Sequence, residues 1–234
     1  MKTSKWTRKG FTLVELLVVI AIIIALAALS TPAILKQRKK MDMTQAISNS
    51  KQVYLVLMDF ENDMGNFPDP DLARENDDLE GFSSSTANQL LGQLIAGGYT
   101  KSEEIFYAKG GNPAGNKKPN DVISPRTEIL QAGECGFAYV MVTGDGSGPR
   151  GLSTSDNGGL PVICAPVQSG GSDAVFKPEP YDNRGVYLRV DGSARNERLN
   201  QTNNKVKVAS KTLFDAGNGT VWDTTLTPQV VLPQ

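Results

Sequence analysis

The stretch from Arg8 to Pro32, "RKGFTLVELLVVIAIIIALAALSTP", contains a long apolar run whose single charge is Glu15. The run extends from Phe11 to Leu29. A helix rises about 1.5 Å per residue, so this length is enough to cross the hydrocarbon part of a bilayer. A carboxylate in that environment costs several kcal/mol unless it has a partner, so an acid inside such a run indicates a function.

Three interpretations of this stretch compete. A secretory signal peptide would have the same basic start, and Ala25-Leu26-Ala27 is similar to a signal-peptidase site. The apolar core of a signal peptide is usually shorter, at about 7–15 residues, and carries no acid. A simple transmembrane anchor fits the length but leaves Glu15 without an explanation.

The third interpretation is a resemblance. The segment "KGFTLVELLVVIAII", from Lys9 to Ile23, resembles the amino terminus of type IV prepilins and type II secretion pseudopilins. The resemblance implies that residues 1–10 are a cytoplasmic leader and that a prepilin peptidase cuts between Gly10 and Phe11. It also implies that the same enzyme methylates the new amine of Phe11.

The resemblance supplies a partner for Glu15. In these families the acid neutralises the terminal amine of a neighbouring subunit during assembly, which here is the amine of Phe11. Two charges that are each costly in lipid become tolerable as a pair. Glu15 is therefore expected to be an assembly residue rather than a catalytic one.

The resemblance also predicts one long helix in two parts. Residues 11–31 are the transmembrane and assembly half, and residues 32–64 are the amphipathic half. Pro32 is expected to kink the helix, because proline removes a backbone hydrogen bond. Gly65 and Pro68 should end the helix. Apolar residues at three- and four-residue steps predict a buried stripe: Met43, Ile47, Tyr54, Leu57 or Met58, and Glu61 or Met64.

Residues 65–234 are predicted to form a periplasmic α+β head domain. Ser85 or Thr86 can cap a short helix that runs to Ala96 and stops at Gly97-Gly98. Ser102 to Glu104 is interpreted as ordinary loop, and 108–133 as a surface excursion. Strands are expected at 135–143 and 160–167, in a hairpin with a type I′ turn at Asp191-Gly192, and at an edge formed by "KVKVAS". A long helix on a small antiparallel sheet is the pilin-like architecture.

The composition of the chain excludes several kinds of catalytic and metal site. The chain has no histidine, which excludes Ser-His-Asp and Cys-His catalysis and histidine-ligated metals. Four of the 24 basic residues lie in the first ten positions, and the rest of the chain is mildly acidic, so no nucleic-acid partner is expected. Cys135 and Cys164 either form a disulfide or are two buried thiols on strands that do not meet.

Acidic, glycine-rich loops occur at 144–148, 155–159 and 170–173. Major pseudopilins bind calcium in a carboxy-terminal loop, and carboxylate oxygens suit that ion. The resemblance therefore nominates Asp156 and Asp173 as calcium ligands, and solvated turns are the alternative. No other cofactor is expected.

The segment "MDFENDMGNFPD", from Met58 to Asp69, resembles the end of the long helix in type II secretion pseudopilins. The resulting expectation is a non-enzymatic structural subunit of a type II secretion pseudopilus, in the inner membrane with its head in the periplasm. Its partners would be copies of itself or other pseudopilins, the prepilin peptidase, the inner-membrane assembly platform and membrane lipid. The alternatives are a type IV pilin and a membrane-anchored binding domain that does not polymerise.

Overall fold

The computed structural model describes residues 11–110, 117–144, 148–208, 211–217, 219–222 and 226–234. Gly10 and the rest of the predicted leader lie outside these ranges. The chain divides after Arg38 into two compact units, the second of which is Lys39–Gln234. The architecture is α+β, with a long helix followed by a small antiparallel sheet, and it matches the pilin-like fold.

Helix α1 spans Leu13–Met64, a length of 52 residues. Every described residue from 11 to 38 is exposed, and the most apolar window of the helix has a mean hydropathy of 2.9. This part is long and apolar enough to cross a membrane. The helix continues through Pro32 without a break, so the kink stays a prediction.

The second part of α1 buries one face within the head domain. The buried residues recur at three- and four-residue steps and are Ala46, Asn49, Ser50, Val53, Leu57 and Phe60. The predicted stripe was correct at Leu57, but four of its other members, Met43, Ile47, Tyr54 and Met64, lie beside it and are only partly buried. The predicted stripe lies to one side of the buried face because it was drawn through large apolar residues, whereas small and amide side chains occupy half of that face.

Local chemistry sets the ends of the helices as expected. After α1, Gly65 has a left-handed φ of 86° and donates its N–H to the carbonyl of Glu61. Helix α2 spans Pro70–Glu75. Helix α3 spans Ala87–Ala96, with Thr86 as its N-cap, and Gly98 follows with a φ of 83°.

Nine strands follow in the described ranges. They are β1 Ala138–Thr143, β2 Pro161–Ala165, β3 Val167–Ser169, β4 Val175–Phe176, β5 Arg184–Arg189, β6 Ala194–Arg198, β7 Lys207–Val208, β8 Lys211–Thr212 and β9 Thr227–Val231. Five form an antiparallel sheet in the order β6-β5-β2-β1-β9. The pairs β3–β4 and β7–β8 form separate two-stranded ladders.

Two details of the strands differ from the predictions. Of the "KVKVAS" segment, Lys207 and Val208 pair with β8, and Val206 forms only an isolated bridge to Leu199, directly after β6, so the described part does not add an edge strand to the main sheet. In the β5–β6 hairpin only Gly192 of the Asp191-Gly192 pair has a positive φ, and its N–H donates to the carbonyl of Arg189. A type I′ turn needs a positive φ at both positions, so this turn is instead a type I turn followed by a left-handed glycine.

The buried face of α1 is fixed to the head by polar and aromatic contacts. The Tyr54 hydroxyl donates to the carbonyl of Val190 at 3.0 Å, beside the hairpin turn. The rings of Phe60 and Tyr99 meet edge to face, with centroids 5.2 Å apart. Helix and sheet therefore share a single hydrophobic core.

Two leucines on the same helix test this packing. Leu57 is fully buried, whereas Leu55 is 65% exposed. We expect Leu57→Ala to lower the free energy of unfolding by about 2–5 kcal/mol, because it leaves a cavity in the core. Leu55→Ala should change it by less than about 0.5 kcal/mol. Urea unfolding followed by circular dichroism would measure both, and equal losses would contradict the described packing.

Candidate functional site

The site centres on the first turn of α1. Thr12 precedes the first helical residue, and its backbone N–H and its hydroxyl both donate to Oε2 of Glu15, at 2.9 and 2.8 Å. The N–H of Glu15 donates back to the Thr12 hydroxyl oxygen at 3.3 Å. This reciprocal arrangement is a capping box, which satisfies two donors that the start of a helix leaves unpaired.

The capping box gives Glu15 a role that the sequence analysis missed. The signal was present as threonine followed three residues later by glutamate, "TLVE". Only one carboxylate oxygen is used in the box. Within the described residues, Oε1 of Glu15 makes no hydrogen bond. The carboxylate can therefore cap its own helix and still accept a further donor.

The predicted processing position adjoins this box. Phe11 lies outside the helix, and its side chain is 79% exposed. The other predicted partner in processing, Gly10, lies outside the described residues. A new amine on Phe11 would sit next to Thr12, within the same turn that holds the Glu15 carboxylate.

The polar side chains of Ser30 and Thr31, directly after the apolar run, form hydrogen bonds with the backbone of their own helix. The Thr31 hydroxyl donates to the carbonyl of Ala27 at 2.7 Å, and the Ser30 hydroxyl donates to the carbonyl of Leu26 at 3.0 Å. In lipid no water is available to take such bonds, so hydroxyls must find a partner within the protein. These two residues therefore fit a membrane-spanning helix.

The family model for the prokaryotic N-terminal methylation motif matches residues 7–31. A search of curated proteins and a search of solved structures found no match. The motif, the long apolar helix and the α+β architecture together are those of a type IV pilin-like protein or a pseudopilin, and the motif does not distinguish the two. It implies processing by a prepilin peptidase and assembly into pilus-like filaments.

The two cysteines are buried and free, so the disulfide alternative is not formed. Cys164 on β2 is opposite Ala138, the first residue of β1, and Cys135 precedes that alanine by three residues and lies outside the sheet. Burial raises the pKa of the Cys135 thiol to about 12 and that of the Cys164 thiol further. A thiol that stays protonated is a poor nucleophile, which makes both residues structural.

The nominated calcium ligands are each engaged by a cation. Both carboxylate oxygens of Asp156 accept from Arg150, at 2.9 and 3.0 Å, and Asp173 pairs with Lys205. Across the described ranges, no three acidic or cysteine side chains form a group that could hold a metal ion. Calcium binding stays a prediction, and these contacts give Asp156 and Asp173 a structural role.

Two buried acids lie between α3 and β1, and the first of them, Glu103, belongs to the segment interpreted as ordinary loop. Glu103 is fully buried, and its Oε1 accepts from the N–H of Leu130 at 2.7 Å. Glu134 is also fully buried and pairs with Lys117 at 2.8 Å. Burial, more than any other cause, raises the pKa of Glu103, and the nearby Glu134 charge adds to the effect. The two acids therefore hold parts of the long connection between α3 and β1 to each other.

The cysteines should be unreactive while the protein is folded. We expect neither thiol to react with a disulfide reagent such as DTNB at pH 8, because both are buried and protonated. Both should react once the protein is unfolded in guanidinium. A mass lower by two hydrogens in the non-reduced protein would contradict the free thiols.

Glu103 should make stability depend on pH. Because its folded-state pKa is raised, its contribution to stability is complete below its ordinary pKa of 4.5 and is lost as pH rises through the raised pKa. Glu103→Gln keeps an acceptor for Leu130 and removes the buried charge. We expect it to raise the Tm at pH 8 and to change the Tm less at pH 5.

The neighbouring Glu104 is exposed and provides the matched control. Glu104→Gln should leave the Tm unchanged at both pH values. Thermal unfolding followed by circular dichroism measures all three proteins. If Glu103→Gln lowers the Tm at pH 8, the charged form of Glu103 stabilises the fold and the stated direction is wrong.

Proposed function

We propose that this chain is a structural subunit of a type II secretion pseudopilus, which polymerises through its amino-terminal helix and catalyses no reaction. The observation that carries the proposal is the first turn of α1, where Glu15, the single acid of the apolar run, bonds to Thr12, which adjoins the proposed processing position Phe11. The helix would be anchored in the inner membrane with the head in the periplasm. Energy for assembly would come from a separate cytoplasmic ATPase.

The unused oxygen of Glu15 supports this mechanism. Oε2 takes both bonds from Thr12, so the turn is capped before any neighbour arrives. A methylated amine on Phe11 of another copy could then donate to Oε1 without opening the box. Charge neutralisation in lipid would favour the addition of each subunit in register, since neither charge is stable there alone.

The preference for a pseudopilus over a pilus rests on the sequence resemblance at the end of α1. The segment that resembles pseudopilins is built into the head: Phe67 is fully buried, and its N–H donates to the carbonyl of Leu152 at 2.8 Å. The Tyr139 hydroxyl donates to the carbonyl of Pro68 at 2.8 Å, which joins this segment to β1. The resemblance therefore lies in residues that fix the helix to the sheet.

The methylation motif is equally typical of type IV pilins, which makes a pilin the second candidate. The two differ in where the filament is found. A pseudopilus should stay within the envelope at native expression levels, and deleting the gene should abolish secretion of folded proteins. Long surface filaments with normal secretion would instead identify a pilin.

Three substitutions separate charge from capping at the first turn. Glu15→Gln keeps a side chain that can accept from Thr12 but removes the charge, since glutamine also suits this position of a capping box. Thr12→Val removes the box and keeps the charge. In cells that overproduce the subunit, so that filaments extend beyond the surface, we expect Glu15→Gln and Glu15→Ala to lower the yield of sheared filaments at least tenfold, and Thr12→Val to lower it much less.

Intact-mass analysis of each variant from its own membranes provides the control. The chain should begin at Phe11 and carry one extra methyl group, which shows that insertion and processing are normal. If Glu15→Gln forms filaments as the wild type does, the carboxylate only caps the helix and the charge mechanism is wrong. If no variant, including the wild type, forms filaments, the chain is a membrane-anchored domain that does not polymerise.

A further inference from the structure

A second charged site lies in the head, at the open end of the β5–β6 hairpin. Lys40 on α1 and Arg184 and Arg198 on the hairpin line one groove of about 380 Å³, and Asp182 is its only acidic lining residue among those described. We propose that this groove binds the phosphate of an anionic phospholipid headgroup. The proposal rests on membrane anchoring of the chain and not on its polymerisation.

The two arginines occupy a cross-strand position that is unfavourable for a pair of like charges. Arg184 and Arg198 are directly opposite each other across the antiparallel ladder. Like charges at opposed positions destabilise a pair of strands. An anion between them removes this cost, because it converts the repulsion into two favourable contacts.

The cations of the groove remain available to a ligand. Arg184 donates to the backbone and side-chain oxygens of Asn196, at 3.4 and 2.8 Å, which orients its guanidinium without neutralising it. In the part of the chain that the structure describes, no ion pair with a carboxylate involves Lys40, Arg184 or Arg198. Guanidinium groups match the oxygens of a phosphate in shape as well as in charge.

The backbone that leads into β5 is also unusual. Asp182 and Asn183 both have left-handed φ values, of 53° and 60°. Consecutive non-glycine residues in this conformation cost free energy, and such strain is often found where a binding site is shaped. Here it turns the chain into the first residue of β5 at Arg184, beside the groove.

The sequence around Lys40 favours lipid over other anions. Ile34 and Leu35 are large exposed apolar residues shortly after the run that begins at Phe11, and Lys40 follows Leu35 by five residues. Three further cations, Lys36, Arg38 and Lys39, lie between them. Basic residues that follow a membrane span directly are attracted to anionic headgroups. Lys40 belongs both to this basic segment and to the groove.

The test uses the purified full chain in detergent and titrates it with phosphatidylglycerol, with native mass spectrometry to count bound lipids. We expect Arg184→Gln/Arg198→Gln to weaken binding of the first lipid roughly 5- to 25-fold, because each cation near an anionic lipid contributes a factor of about five. Arg198→Gln alone, which leaves the Arg184–Asn196 bonds in place, should give about a fivefold loss. Circular dichroism checks that each variant is folded.

The matched control is Arg195→Gln/Lys207→Gln, which removes two exposed cations of the head that do not line the groove. It should change lipid affinity by less than about twofold, and equal losses from the two pairs would show that only diffuse charge attracts the lipid. Complete displacement of the lipid by millimolar inorganic phosphate would identify a free-anion site. Unchanged lipid binding of the arginine variants, combined with weaker chemical cross-linking between copies, would assign the groove to carboxylates of a second subunit. Displacement by phosphate and this last result would each overturn the proposal.

Discussion

The head depends on one packing constraint, the close approach of the second part of α1 to the rest of the domain. Ala46 and Ser50 are small enough to bring the helix backbone near its neighbours, and both are fully buried. Between them, the Asn49 amide donates to the carbonyls of Glu104 and Tyr107, at 3.0 and 2.9 Å. Burial of Phe60 stabilises this contact by about 1.5–3 kcal/mol. The loop before β1 is therefore positioned by the same helix face that forms the core.

The first part of α1 obeys a different constraint, since no protein covers it. The hydroxyls of Ser30 and Thr31 donate to its own backbone, and its acid caps its own first turn. A helix that must be stable in lipid before it contacts another subunit has to form these hydrogen bonds internally, because unpaired polar groups cost several kcal/mol there. The capping box thus explains how Glu15 can be tolerated in an unassembled subunit. The same residue then has one oxygen left for assembly.

Features set by local chemistry could be predicted from the sequence, and features set by distant contacts could not. The ends of α1 and α3 followed from Gly65, Thr86 and Gly98, whose preferences depend only on interactions within a few residues. Strand β9 was missed because its sequence, "TPQVV", contains a proline and it pairs with β1, which lies about 90 residues earlier. The burial of Glu103 was equally hidden, since it depends on the N–H of Leu130 and on no pattern near position 103. At the candidate site, the resemblance identified Glu15, and only the structure showed its bonds to Thr12.

The two charged sites together give assembly a simple electrostatic description. Before assembly, the Glu15 carboxylate is held by Thr12, and the proposed headgroup neutralises the cations around Arg198. In the proposed mechanism, a subunit that enters a filament would gain a neighbour's amine at Glu15, and its groove would exchange the lipid for water or for another anion. The first exchange is favourable because it occurs in a medium of low dielectric constant, where an ion pair is strong. The second takes place at the membrane surface, where salt screens charges, so it opposes assembly only weakly.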